Sequence, residues 1–162
     1  DYIVLSNVTG SAYIYGMMVG GYQTNSSGKD QYIWYLRSGD QEISFSPVSH
    51  YYGNSGDMVG VVVGKDRTGA NTIKEAARLT EVKNVKASDF FDSQGDPYVT
   101  VAGRTYRIAG NVECYYNRTG SKVSKENWLT GANRLTDIQT YSDSFTLYVD
   151  SVGQQVRIIV AN

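Results

Sequence analysis

Much is scarce in this chain, and each shortage excludes something. Cys114 is its one cysteine, so no disulfide can close within it. A lone cysteine and a lone histidine, His50, also fall short of the three or four soft ligands that a zinc site needs. Neither sign of charge is in excess. The formal net charge is −1, with 15 basic and 16 acidic residues spread over both halves. Phosphate binding needs clustered Lys and Arg, so nucleic acid is not an expected partner. No apolar run approaches the roughly 18 residues of a membrane span. The longest, Tyr13 to Val19 and Met58 to Val63, are strand-sized. Phosphate-loop chemistry is missing too, since Gly28-Lys29 is followed by Asp30, and there is no dinucleotide fingerprint. No cofactor is expected, and no metal.

Tyrosine and glycine are abundant, with 14 and 17 residues against 4 Phe and 2 Pro. Tyr, Val, Ile and Thr favour pleated, half-exposed surfaces, and Gly supplies tight turns between them, so the composition predicts an all-β protein. The strand pattern is dense. Tyr32 to Leu36 and Gln41 to Phe45 flank a glycine-containing loop and read as a hairpin. Tyr98 to Val101 and Arg104 to Ile108 flank only Ala102-Gly103, a register that sets Val99 opposite Tyr106. Phe145, Leu147 and Val149 alternate with polar neighbours, and after a turn Val156, Ile158 and Val160 do so again. Gly16 interrupts Ala12 to Val19 and predicts a bulge or bend. Met58 to Val63 reads as a central strand buried on both faces. The segment Ser124 to Ile138 begins with a helix-capping serine and predicts one or two short helices. Thr72 to Leu79 (TIKEAARL) is rich in helix formers. It is read as a strand, because pairing with its predecessor can override weak propensity.

The halves share landmarks in the same order. Asn7-Val8 answers Asn84-Val85, Tyr51-Tyr52 answers Tyr115-Tyr116, and the turn Asp66 to Gly69 answers Asp150 to Gly153. This predicts two related small β-barrel or sandwich units in tandem, residues 1–80 and 81–162. They are expected to pack through Glu81 to Ala87, with a helical insertion at about 117–143 in the second.

Residues able to carry chemistry are few. His50 could meet Ser and Asp57 in space, but no nucleophile-elbow pattern surrounds either nearby serine. Cys114 sits in a strand-like run and reads as core packing rather than as an activated thiol. Asp89, Asp92 and Asp96 form an acidic cluster whose spacing does not fit a calcium loop, and they read as a turn ahead of Pro97. The glutamates show no spacing of a glycosidase pair. Aromatic residues are the best lead, since Tyr and Trp join a flat apolar ring to a polar tip. Trp34, Tyr35, Tyr52 and Tyr116 are the candidate ligand-binding residues.

The runs Gly103 to Tyr116 (GRTYRIAGNVECYY) and Tyr141 to Ile159 (YSDSFTLYVDSVGQQVRII) resemble the β-rich extension regions of S-layer-like, S-layer homology domain-containing cell-surface proteins of Gram-positive bacteria. The wall-anchoring motif of that family is not in this sequence, and the chain reads as a piece of something longer. The resemblance implies a secreted location at the cell surface or cell wall. It also implies a non-catalytic structural or adhesive role, with cell-wall or surface-layer components, glycans or other proteins as partners. It supplies no catalytic residue. The rival expectation is a carbohydrate-binding module using Trp34, Tyr35 and Tyr52 as coplanar exposed rings.

Overall fold

The computed structural model describes residues 13–24, 26–39, 41–47, 49–117, 128–130 and 143–162. Two sheets account for them. The first contains β1 (Ile14–Thr24), β2 (Asp30–Ser38), β3 (Gln41–Ser44), β4 (Met58–Lys65) and β5 (Asn71–Arg78), in the order β3-β2-β1-β4-β5. The second contains β6 (Thr80–Lys86), β7 (Phe90–Ser93), β8 (Asp96–Val101), β9 (Arg104–Asn117), β10 (Trp128–Thr130), β11 (Ser144–Val149) and β12 (Gln155–Ala161). Its order is β6-β11-β12-β9-β8-β7, with β10 pairing beside β9. The protein is all-β, as the composition predicts. Its one helical turn among the described residues is the 3₁₀ segment Ala87–Asp89.

Period-2 alternation builds three apolar layers. The first sheet curls until its edges meet at one end, where the Ser46 N–H donates to the Asn71 carbonyl at 2.8 Å. Inside the curl lie Met18, Trp34, Leu36, Phe45, Val59 and Val61. The second sheet wraps its own core, including Val85, Phe90, Val99, Ile108, Cys114, Phe145 and Leu147. The third layer joins the sheets: Tyr15, Met17 and Met58 from the first pack against Tyr115, Ile158 and Val160 from the second. β4 thus contributes to layers on both its faces, as its apolar run implies. The bulge expected at Gly16 does not form, and Gly16 pairs with Val59 of β4 in unbroken register. A Cβ there would strike the Arg37 backbone carbonyl, so glycine is what lets β2 lie this close.

The predicted hairpins form in register. Leu36 pairs with Ile43 across β2 and β3, and Val99 with Tyr106 across β8 and β9. Ala102 and Gly103 take positive φ of 51° and 80°, the values a two-residue primed turn requires. TIKEAARL is strand β5, paired along β4. The acidic cluster is spread over local roles. Asp89 accepts from the Lys86 N–H, while Asp92 and Asp96 flank the β7–β8 turn.

Four expectations need correction. Val156, Ile158 and Val160 do not share a side, because Arg157 is the extra residue of a bulge that reverses the alternation. Val156 therefore lines the second core with Ile159 and Ala161, while Ile158 and Val160 face the first sheet. The sheets do not pack through Glu81 to Ala87. β6 ends the second sheet beside β11 and exposes Glu81, Lys83, Asn84 and Lys86, whereas β12 and β9 present the apolar outer face. Of the expected helical insertion, Trp128–Thr130 form a strand along Tyr115–Asn117, and the rest lies outside the described residues. Of the duplicated landmarks, the Tyr pairs are not equivalent, and Asn7-Val8 lies outside the described residues. Tyr51 and Tyr52 lie in the loop between β3 and β4, whereas Tyr115 and Tyr116 lie within β9. The first sheet is antiparallel throughout, whereas β12 runs parallel to β9. What the halves share is a hairpin: β4–β5 and β11–β12 each turn on an aspartate accepting backbone amides, Asp66 from Thr68 and Ala70, and Asp150 from Gly153 and Gln154.

Candidate functional site

The predicted aromatic residues do not assemble into one face. Trp34 is 6 % exposed inside the first sheet. Tyr35 follows it on β2, so alternation sends its half-buried ring to the opposite face. Tyr116 lies in β9, and its side chain is outside the described residues. Tyr52 alone stands in solvent, 93 % exposed. A ladder of rings forms around buried Trp34 instead: half-buried Tyr32 lies 4.5 Å from Trp34, which meets half-buried Tyr51 edge-on at 4.9 Å. Tyr22, 78 % exposed, caps the row against Tyr32.

The companion of Tyr52 is His50. The two rings are nearly parallel, 12° apart, with centroids separated by 6.1 Å. Asp57, the carboxylate weighed as a partner for His50, is engaged elsewhere. It accepts from the Tyr51 hydroxyl at 2.7 Å and the Asn54 N–H at 2.9 Å, and it pairs with Arg78 at 3.2 Å. Burial, then the carboxylate itself, raises the Tyr51 phenol above its ordinary range. Residues Ser49 to Tyr52 run beside β5 and leave between them a groove of 520 Å3. Thr72, Ile73 and Lys74 line its other wall. Sequence reasoning found Tyr52 but missed Ser49, His50 as a ring partner, and the β5 wall. They meet only because the curl brings β3 round to β5.

Two polar ties cross the junction between the sheets. In the first, Arg157 Nε donates to Asp150 Oδ2 at 2.5 Å, the side chains being 7 % and 3 % exposed. Its guanidinium lies 4.6 Å over the Tyr15 ring of the other sheet. Burial pushes the Tyr15 phenol up to about 12. In the second, Glu113 accepts from the Ser38 and Tyr115 hydroxyls, both at 2.6 Å, and Tyr115 in turn accepts from the Gly39 N–H at 2.9 Å. Burial raises the Glu113 carboxyl against the opposing pull of those hydrogen bonds. Cys114 packs in the second core, where burial pushes its thiol up to about 12. A thiol so held is not a nucleophile at neutral pH.

Comparison with family models, curated proteins and solved structures finds no match. Among the described residues no helix is long and apolar enough to cross a membrane.

Proposed function

We propose that this chain is a non-catalytic structural or adhesive segment of a bacterial cell-surface, S-layer-like protein, built of two sheet units in tandem and working outside the cell. The observation that carries the reading is the junction. A continuous apolar layer of Tyr15, Met17, Met58, Tyr115, Ile158 and Val160 joins the two sheets. Polar ties at Arg157 and at Glu113 flank it. Such a junction suits a stiff spacer, because domains joined by a small polar interface are expected to move against each other. The resemblance of Gly103 to Tyr116 and Tyr141 to Ile159 to surface-layer extension regions supports the same setting.

Stretching the full chain between handles at its ends tests this reading. One extension event is expected, releasing close to the whole contour of 162 residues at ~3.6 Å each. Two separate events of about half that length each would mean that the sheets behave as independent beads, and would count against a rigid segment.

A further inference from the structure

We propose that the groove between Ser49–Tyr52 and β5 binds a neutral saccharide of one or two rings, stacked on Tyr52. The inference extends the adhesive side of the function proposed above and rests on it only in naming a ligand rather than a substrate.

Three features point to a small, hydroxyl-rich occupant. The first is the Tyr52 ring, 93 % exposed yet held parallel to His50. A flat ring left in water offers a face to an apolar C–H surface and a phenol to a hydroxyl. The second is Ser49. It lines the groove, and its Oγ, shielded from solvent, meets no hydrogen-bond partner among the described residues. Buried hydroxyls are nearly always satisfied, so one without a partner in a groove wall gains a hydrogen bond by rotating toward a ligand atom. The third is the outer edge of β5. Beyond Asn71, its backbone groups on that side find no backbone partner among the described residues. Sugar hydroxyls donate and accept at once, and can meet both kinds of edge group.

The shape decides against a polypeptide strand on the same edge. The seam is pinched at both ends, by Ser46 N–H to the Asn71 carbonyl at 2.8 Å and by Asp57 to Arg78 at 3.2 Å. An added strand must run out of its groove at each end, whereas a short ligand need not. The volume of 520 Å3 lies within the ~300–1,000 Å3 of small-molecule sites. Charge decides against a strongly ionic ligand. The lining carries Lys74 and Arg78 against Glu75, with Arg78 paired to Asp57 and Glu75 accepting the Tyr13 hydroxyl at 2.5 Å, so neither sign dominates.

The test is a nuclear magnetic resonance titration of the isotopically labelled full chain with cellobiose and with N,N′-diacetylchitobiose. At least one should give saturable shifts confined to residues 49–52 and 72–76. Tyr52→Ala should weaken binding about tenfold or more. Ser49→Ala should also weaken it while melting no lower than the parent, since it removes an unsatisfied hydroxyl, so a lost response cannot be put down to unfolding. Tyr22→Ala, an exposed ring outside the groove lining, should change nothing. The proposal is overturned if neither sugar gives saturable shifts up to about 10 mM, or if Tyr52→Ala and Ser49→Ala bind like the parent. It is equally overturned if the groove responds only to an extended Thr/Val pentapeptide, with shifts along the whole of β5. The stretching experiment does not involve the groove, so either idea can fail while the other stands.

Discussion

Replacing Arg157 by methionine probes the junction most directly. Arg157 and Asp150 are 7 % and 3 % exposed and sit 2.5 Å apart, so neither charge has water to fall back on. Removing one member of such a pair commonly costs ~3–5 kcal/mol, because the other is left buried and uncompensated. Asp150 would keep the amides of Gly153 and Gln154, which argues for the lower end. Loss of the guanidinium from above the Tyr15 ring adds ~0.5–2 kcal/mol, and methionine refills part of the volume. The sum is a loss of about 3–4 kcal/mol. Asp150→Asn should cost at least as much, since it takes the carboxylate from the buried cation and loosens the turn. The double variant should cost less than the two singles together, by at least about 1.5 kcal/mol. Urea unfolding followed by far-ultraviolet circular dichroism measures all four corners. A cost for Arg157→Met below about 1 kcal/mol, the value of an exposed ion pair, or strict additivity of the singles, would refute the claim that this tie is desolvated.

Three further outcomes are expected. The Glu113 carboxyl is raised by burial, so the stability it contributes is complete below the ordinary glutamate value of 4.5 and is lost as pH climbs through its folded value. Urea midpoints of the parent should therefore fall relative to Glu113→Gln between pH 4 and 7, and parallel curves would contradict this. Gly16→Ala should destabilise by about 2 kcal/mol or more, since the methyl meets the Arg37 carbonyl. Gly21→Ala, with open space around it, should be neutral or gain up to about 1 kcal/mol, and equal urea midpoints for the two variants would undo the argument. Cys114, buried with its thiol near 12, should resist Ellman's reagent at pH 8 until urea unfolds the chain. Prompt reaction of the native protein would sink that expectation.

The local β structure was legible because its causes are local. Ala102-Gly103 dictates a two-residue turn, and the turn fixes the register of β8 on β9. Even TIKEAARL yielded once it was read as the return strand of a hairpin. What sequence reasoning missed arises where one residue shifts a register. The bulge at Arg157 turns Val156 inward and Ile158 outward, and no pattern in Val156 to Val160 marks it, apart from a charge amid apolar neighbours. That bulge also turns Ile158 and Val160 to the face between the sheets, so the junction falls to β12 and not to β6. The binding face was misjudged for a simpler reason. Trp34 and Tyr35 are consecutive on a strand, and consecutive residues cannot share a platform. The groove around Tyr52 depends on the first sheet bending until β3 reaches β5, a distance that no motif encodes.

β12 is the last of the described strands in sequence, yet it sits near the middle of its sheet, between β11 and β9, and it supplies Ile158 and Val160, two of the three buried residues that seal Tyr15, Met17 and Met58. During synthesis the earlier strands must therefore wait with greasy surface uncovered until the last of the described residues emerges. Maturation is then governed by distant pairings and should be slow. Deleting Ile158 to Ala161 would remove a keystone, leaving both sheets prone to aggregation.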